Sequence, residues 1–175
     1  MGRVPPSDPR RTKGAYFRTL EWLAKRRAVT WFLINVGNRV DPVLMRVTGG
    51  RVKVAPGSPT VVLSHVGARS RKRRRTPLAY FTDRDRVVLM ASKGGAPHNP
   101  AWYHNVKANP DVELWVGRRG GRYRATEAEG PEYDRLWDLA TTLYDGYAKY
   151  QVRAGDRRIP LIVCEPGEGA PTTRP

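Results

Sequence analysis

Hydrophobic and polar positions divide the chain into a helical first part and a strand-rich second part. Over residues 14–36, apolar side chains recur among arginines and lysines at a spacing that favours a helix over a strand. A second, short helix is predicted over residues 41–47, because Asp41 suits the cap position and Pro42 the first helical position. From Thr60 onward, short apolar runs are separated by turn residues, which is typical of β-strands.

The strand-rich part of the chain predicts a barrel. Its strand-like runs are residues 60–66, 76–82, 86–91, 111–116, 122–129 and 159–165. One helix is predicted over residues 100–108, with Asn99 as its cap, and a longer helix over residues 131–150. Hairpins rather than crossover helices join most of the strands, so a parallel sheet is not expected. We therefore predict an α+β fold in which a mainly antiparallel sheet curls into a barrel with helices packed outside.

The chain ends differ in composition from this central part. Residues 1–13 are rich in Pro and Arg and are predicted to be a disordered basic tail, and residues 167–175 a flexible tail. Between them we expect N-terminal helices over residues 14–50 and a barrel domain over residues 58–166. The longest apolar run is far shorter than the roughly 20 residues that span a bilayer, and no secretory signal is recognisable. A cytoplasmic protein is expected, either soluble or peripheral on the inner face of the membrane.

The charge balance narrows the choice of partners. The chain carries 32 Lys and Arg against 16 Asp and Glu, a formal net charge of +16. Some face of the protein must therefore attract anions, such as nucleic acid, an anionic membrane or a polyanionic small molecule. The lone cysteine, Cys164, cannot form an internal disulfide, and its apolar surroundings favour a buried, inert thiol. The three histidines show no ligand spacing, and no metal site is predicted.

A cluster of basic residues lies between the first two strands. Six of the seven residues from Arg69 to Arg75 are Arg or Lys. Guanidinium groups match phosphate and carboxylate, so the run predicts an anion site; a nucleic-acid patch and a solvated hairpin tip are the alternatives. Because strand residues alternate between faces, at most half of these side chains can line one groove. No zinc-finger, helix-turn-helix or RNP signature accompanies them, and nucleic acid is not expected as a partner.

Two further segments are candidates for site residues. After the third strand, Gly94 and Gly95 allow the backbone to turn N–H groups toward an anion, and Lys93 adds charge; an ordinary loop is the alternative. The next helix carries Trp102, which either lines the site or packs in the core. Near the end of the chain, Tyr144, Tyr147 and Tyr150 recur at helical spacing on one face. This face either packs in the core or lines a pocket, where a phenol donates a hydrogen bond to a developing oxyanion.

Taken together, these segments resemble the deazaflavin-dependent nitroreductase family of actinobacteria, over about residues 41–166. The resemblance rests on the motifs RRTPL at 74–78, ASKGGAP at 91–97, NPAWY at 99–103, KANPDV at 107–112, YDGYAKYQ at 144–151 and RIPLIVCEP at 158–166. It implies a split β-barrel of the FMN-binding type and binding of coenzyme F420, an 8-hydroxy-5-deazaflavin with a phosphate and an oligoglutamate tail. A polyanionic ligand of this kind would account for positive charge near the site.

The resemblance also implies roles for individual residues. The implied cofactor-binding residues are Arg69, Arg74, Thr76, Pro77, Leu78, Met90, Ala91, Ser92, Lys93, Gly94, Gly95, Trp102 and Asn105. Of these, Arg69 and Arg74 would hold the phosphate and the acidic tail. The implied catalytic residues are Tyr147 as proton donor, with Ser92, Tyr144 and Tyr150 on the substrate side.

The chain departs from the family pattern at two places. The basic turn reads Gly67-Ala68-Arg69-Ser70-Arg71, where the family usually has Gly-Arg-x-Ser/Thr-Gly. Ser64-His65 stands where the family often has two threonines. Either the basic residues that follow compensate for the first change, or binding of the acidic tail differs.

The implied activity is hydride transfer from reduced F420 to a quinone-like or nitroaromatic substrate, by a monomer or a homodimer. Two other functions stay open: a non-catalytic F420 carrier and, with less support, a basic nucleic-acid-binding module. Residues 14–36 combine aromatic and basic side chains. This suits a lid that covers the pocket, peripheral contact with a membrane, or a helix packed on the barrel.

Overall fold

A computed structural model of the protein describes residues 3–7 and 59–167. The helices and the membrane contact predicted for residues 14–50, and the tail beyond Gly167, lie outside the described residues. The elements in chain order are β1 (Thr60–Val66), β2 (Arg73–Asp83), β3 (Arg86–Met90), a 3-10 turn (Lys93–Gly95), α1 (Ala101–Ala108), β4 (Asp111–Val116), β5 (Arg119–Glu127), α2 (Gly130–Leu143), α3 (Gly146–Ala154) and β6 (Leu161–Pro166). No helix among these is long and apolar enough to cross a membrane.

The six strands form a closed barrel in the order β1-β2-β3-β6-β5-β4, and every neighbouring pair is antiparallel. Pairing of β1 with β4, in which Leu63 lies opposite Leu114, closes the ring. The predicted α+β barrel is therefore confirmed. Because successive strands alternate in direction, the turn after β1, the loop after β3 and the segment before β6 emerge at the same end, here called the basic-turn end.

Alternating side chains fill the inside of the barrel. In β1, the buried residues Val61, Leu63 and His65 alternate with partly exposed neighbours, as expected for a strand with one face in a core. Helix α1 adds Trp102 and Val106 to this interior cluster. Burying one side chain of this size stabilises the fold by about 1.5–3 kcal/mol, so strand register is strongly specified.

Strands β3 and β6 are buried on both faces. Val88 and Met90 of β3 and Leu161 and Val163 of β6 point away from the interior and pack against α2 and α3 in a second, outer cluster. This explains why β3 and β6 read as continuous apolar runs, whereas β1 alternates.

The prediction of one long helix over residues 131–150 is wrong, because the chain forms two helices there. Helix α2 ends at Leu143, Tyr144 is extended (φ −151°, ψ 104°), and α3 begins at Gly146. A Cβ atom on Gly146 would overlap the ring of Tyr144, so the glycine allows the tyrosine to fold back over the start of α3. The sequence has no proline at this break. The apolar spacing alone therefore predicted one continuous helix.

Other boundaries differ by a few residues. Strand β2 begins at Arg73, so the basic turn is confined to residues 67–72. Strand β5 begins at Arg119, and Gly117-Arg118 forms a two-residue turn between β4 and β5. Pro100 rather than Asn99 occupies the cap position of α1, with no side-chain cap bond.

Residues 3–7 contact the barrel, unlike the disordered tail that their composition predicts. The side chain of Val4 joins the interior cluster, and its N–H donates to the hydroxyl of Tyr123 at 3.1 Å. The N–H of Ser7 donates to the Thr82 hydroxyl at 2.9 Å, and the N–H of Thr82 donates to the Ser7 carbonyl at 3.0 Å. One apolar anchor and hydrogen bonds to β2 and β5 therefore hold this segment.

Asp83, at the end of β2, joins the β2–β3 hairpin to α2. Its carboxylate accepts hydrogen bonds from Arg135 at 2.7 and 3.0 Å and from Arg86 at 2.6 Å, and its side chain is only 10% exposed. The hydrogen bonds from Arg135, and then those from Arg86, lower the pKa of Asp83 to about 2.

Replacing Asp83 with Asn is expected to lower the free energy of unfolding by about 2 kcal/mol at pH 7. A lowered pKa means that the charged carboxylate contributes fully above its ordinary pKa of 3.8 and that this contribution is lost as the pH falls toward 2. The difference between wild type and variant in urea unfolding should therefore narrow below pH 4. Asp111→Asn, at a side chain that is 82% exposed, is the control and should change stability by less than about 0.5 kcal/mol. Equal effects of the two variants would contradict this account.

Candidate active site

The loop after β3 contains a strained turn at the basic-turn end. Lys93, Gly94 and Gly95 have φ angles of 47°, 64° and 81°, three successive residues in the left-handed region. For the non-glycine Lys93 this conformation costs about 1–2 kcal/mol. Strain of this kind persists only where neighbouring contacts hold the backbone, and it is concentrated at functional sites.

The same turn has the backbone form of an anion-binding nest. Ser92 is right-handed (φ −68°, ψ −39°) and is followed by left-handed Lys93, an order that points successive N–H groups toward one concavity. The N–H groups of Gly95 and Ala96 close the turn by donating to the carbonyls of Ser92 and Lys93 at 2.9 and 3.2 Å. The predicted anion loop therefore has a matching geometry over Ser92–Gly95.

Gly95 brings this loop directly against α3. A Cβ atom on Gly95 would lie 2.6 Å from the carbonyl oxygen of Tyr150 and 2.7 Å from Cβ of Arg153. Only glycine allows both this approach and a φ of 81°. This contact fixes the position of the loop relative to the helix that carries two of the three predicted tyrosines.

Arg157 is a site residue that sequence reasoning missed. Its guanidinium group donates to the carbonyls of Ala91, Ser92 and Ala96 and to the side-chain oxygen of Asn99, at distances of 2.7–3.2 Å. Nothing in the sequence distinguishes it from the adjacent Arg158, which instead forms a salt bridge with Asp134 at 2.8 Å.

The three predicted tyrosines form a cluster even though they do not share one helix. Ring centroids of Tyr144, Tyr147 and Tyr150 lie 5.3, 5.9 and 6.1 Å apart, and the hydroxyls of Tyr144 and Tyr150 are 3.3 Å apart. Tyr147 is 7% exposed and packs in the outer cluster. Burial and, to a smaller extent, Tyr150 raise the pKa of Tyr147 above its ordinary value of 10, so the phenol stays protonated.

The basic turn is positioned by α1. The side-chain oxygen of Asn105 accepts a hydrogen bond from the N–H of Ala68 at 2.9 Å, so this predicted cofactor residue holds the turn. Arg71 has a φ of 56°, which favours glycine, and this is the position where the resembling family usually has glycine. Arg71 thus adopts a conformation that favours glycine although it carries a side chain.

The basic side chains of residues 69–75 are exposed, and most of them have no carboxylate partner among the described residues. Within residues 3–7 and 59–167, Arg73 is the only one of the six basic residues from Arg69 to Arg75 with a carboxylate partner, Glu113 at 3.1 Å. Arg74 instead donates to the Ser70 hydroxyl at 3.4 Å. The turn can therefore bind an external anion.

His65 occupies the interior next to the basic turn. It is 4% exposed, and its Nε2 lies 3.1 Å from the Thr76 hydroxyl. Its Nδ1 is buried without a hydrogen-bond partner in the described part of the chain. Burial and then Arg74 lower the pKa of His65, which favours a neutral ring.

The structure separates some residues that were predicted to line one surface. Leu78 packs against the interior cluster, and Thr76 shares its face, but Pro77 points to the opposite face of β2. Met90 is buried in the outer cluster, and Trp102 in the interior cluster. These five residues therefore lie on two sides of the barrel wall.

The remaining candidates form a continuous path across the basic-turn end. The basic turn contacts α1 through Asn105, α1 follows the strained loop, and the loop contacts α3 at Gly95. The three segments selected from the sequence are therefore linked at this end, the basic turn through α1 and the loop through Gly95.

Comparison with known proteins decides the family. The family model for F420H(2)-dependent quinone reductase matches residues 38–166, which include the whole barrel. The chain belongs to this family. An F420H(2)-dependent quinone reductase of Mycobacterium tuberculosis is 41% identical to it over 130 residues, 71% of this chain and 87% of the relative. A putative F420H(2)-dependent quinone reductase of the same species is 36% identical over 108 residues, 62% of this chain and 90% of the relative.

Two solved structures resemble the barrel. An F420-H2 dependent reductase (FDR-A) is 41% identical, with a TM-score of 0.57 over 61% of this chain and 94% of the other. A domain-swapped dimer is 36% identical, with a TM-score of 0.58 over 74% of this chain and 96% of the other. The fold is the split β-barrel of the F420-dependent reductases, as the motifs predicted. The nest at Ser92–Gly95 and the uncompensated arginines fit the F420 cofactor that the family name implies.

Replacing Gly95 with Ala is expected to destabilise the protein more than the same change at Gly117. Both glycines have positive φ angles, 81° and 60°, but a Cβ on Gly117 would meet nothing within 4 Å. Strain alone costs about 1–2 kcal/mol, and the overlap with α3 adds about 2 kcal/mol. Chemical unfolding of both variants measures this difference. Equal losses of stability would mean that the loop and α3 do not depend on this close approach.

Proposed function

We propose that this protein is an F420H2-dependent oxidoreductase that transfers a hydride to a quinone-like substrate, with nitroaromatic compounds as alternative acceptors. The observation that carries the proposal is the continuous path of basic turn, strained loop and tyrosine helix at one end of a barrel of this family. Each segment matches one requirement of such a reaction: an anion site, a backbone against which a ring can lie, and proton donors.

The basic turn would hold the phosphate and the acidic tail of the cofactor. Arg69 is exposed, and Arg74 lies on the strand that leads from the turn toward Thr76. Planar guanidinium groups bind phosphate and carboxylate in pairs of hydrogen bonds, and this supports a role for both arginines.

The end of β3 and the following nest would position the ring system. When bound, reduced F420 supplies the hydride, because its deazaflavin has carbon in place of the reactive nitrogen of a flavin. The chain contributes orientation and exclusion of water: Ala91 is fully buried, and Ser92 and Lys93 lie in the strained turn. Thr76 and Leu78 lie on the interior face of β2, the strand next to β3.

The tyrosine cluster would supply the proton. Tyr147 remains protonated because of its burial, and Tyr144 and Tyr150 pair their hydroxyls beside it. A phenol in this position stabilises a product oxyanion by donating a hydrogen bond or a proton. Contact with a membrane through residues 14–36 and the state of assembly stay predictions.

Titration of the purified protein with F420 and with FMN tests the proposal. We expect binding of F420 at micromolar concentration or tighter, weaker binding of FMN, and weaker F420 binding at high salt because the contacts are ionic. Turnover of a quinone by F420H2 then separates an enzyme from a carrier. Absence of F420 binding would reject the proposal, and binding without any turnover would favour the carrier.

Within that titration, Arg69→Gln should weaken F420 binding about tenfold, the value of one charge-assisted hydrogen bond. Arg118→Gln is the matched control, because Arg118 is also exposed but lies in the β4–β5 turn at the opposite end of the barrel. Equal effects of the two variants would mean that affinity follows the net charge rather than the basic turn.

Replacing Tyr147 with Phe is expected to lower kcat for quinone reduction about a hundredfold while F420 affinity stays unchanged. Tyr133→Phe is the control: Tyr133 is a buried tyrosine of the same outer cluster, and its hydroxyl donates to the Ile159 carbonyl at 3.0 Å. Its removal should lower stability without a specific loss of kcat. Loss of F420 affinity in Tyr147→Phe would mean that this tyrosine belongs to the cofactor side.

A further inference from the structure

Arg157 lies between α3 and β6, and all three nitrogens of its guanidinium group donate hydrogen bonds to the loop after β3. Nε donates to the carbonyl of Ala96 at 2.9 Å, and one terminal nitrogen to that of Ser92 at 2.9 Å. The other terminal nitrogen donates to the carbonyl of Ala91 at 3.2 Å and to Oδ1 of Asn99 at 2.7 Å. One side chain thus satisfies four acceptors of one loop.

These acceptors lie on both sides of the strained turn. Ala91 and Ser92 precede Lys93, and Ala96 and Asn99 follow Gly95. The rigid planar fork of a guanidinium group fixes the relative positions of the carbonyls that it binds. It therefore restrains both ends of the left-handed turn. Without such a restraint, the left-handed conformation of Lys93 would be unfavourable.

Arg157 is itself fixed to the tyrosine helix. The side chain of Gln151, in α3, donates to the carbonyl of Arg157 at 2.8 Å and accepts from the N–H of Ile159 at 2.9 Å. Gln151 follows Tyr150, whose carbonyl lies against Gly95. The loop is consequently held relative to α3 twice, once by direct contact and once through Arg157.

We propose that Arg157 is a positioning residue that holds the Ser92–Gly95 backbone in its left-handed conformation and next to the helix of the tyrosine cluster. The consequence of this restraint, tighter binding of F420, rests on the proposed function. The restraint on the loop itself does not. The guanidinium group of Arg157 donates to four acceptors of the loop, so the residue acts through the loop.

The first test compares Arg157→Lys with Arg158→Lys. Lysine keeps the charge but lacks the planar fork, so Arg157→Lys should raise the Kd for F420 and the KM for F420H2 at least about tenfold. The kcat at saturating F420H2 should stay within about threefold, because the reacting groups remain in place. Arg158→Lys makes the same chemical change one residue later, where the side chain binds Asp134, and should leave both constants unchanged.

A second test asks whether the fork itself is needed. In Arg157→Ala, guanidinium at tens of millimolar should recover part of the F420 affinity, whereas in Arg157→Lys it should have no effect. Asn99→Ala removes one acceptor without changing the arginine, so it should raise the Kd by a smaller factor. If both Arg157 variants fail to fold, the Asn99 variant decides: an unchanged Kd there would overturn the proposal.

Amide hydrogen exchange of the cofactor-free protein separates this inference from the proposed function. In Arg157→Lys, exchange over residues 92–96 should accelerate at least about tenfold, while the Gly117-Arg118 turn should exchange as in wild type. If wild type does not bind F420 but exchange still accelerates, the proposed function fails and the restraint stands. If exchange and Kd both match wild type, or if only thermal stability falls, Arg157 is not a positioning residue.

Discussion

Closure of the hydrogen-bonded ring between β1 and β4 constrains every other feature of the molecule. A closed ring of six antiparallel strands forces successive strands to alternate in direction. The turn after β1, the loop after β3 and the segment before β6 must therefore meet at one end. Since the basic residues, the glycine loop and Arg157 lie in these three connections, the topology assembles the site from segments that are far apart in the sequence.

Closure also decides which strands can carry helices. Strands β3 and β6 are apolar on both faces, so α2 and α3 pack against this part of the wall. The break at Tyr144 separates α3 from α2, and the ring of Tyr144 packs against Tyr147 and Tyr150 of α3. Through Gly95, the same helix contacts the strained loop. The tyrosines proposed as proton donors and the loop backbone proposed to position the cofactor are thus adjacent, because one helix contacts both.

Much of the fold was predictable because burial follows a simple period in the strands. The alternation in Thr60–Val66 gave the bounds of β1 correctly, and the glycines after β3 correctly indicated a turn, which has positive φ angles. The motifs predicted the family, which the comparisons confirm. The break between α2 and α3 was not predictable, since Tyr144 has no intrinsic tendency to end a helix and only the packing of its ring on Gly146 explains the break.

Residue roles were harder to predict because the two faces of a strand look alike in a short motif. Thr76-Pro77-Leu78 reads as one unit, yet Pro77 faces away from the other two. Met90 and Trp102 are apolar residues next to the site that serve the two cores instead. Arg157 carries no signal in a chain with 32 Lys and Arg, because its four acceptors come from a distant loop.

A crystal structure of the protein with F420 bound tests the central claim most directly. The account predicts the phosphate and acidic tail beside the basic turn at residues 67–72, and the ring beside the Ser92–Gly95 backbone, within reach of the tyrosine cluster. It also predicts that the left-handed turn keeps its φ angles when the cofactor binds. A ring bound near the Gly117-Arg118 turn, at the opposite end of the barrel, would contradict the account.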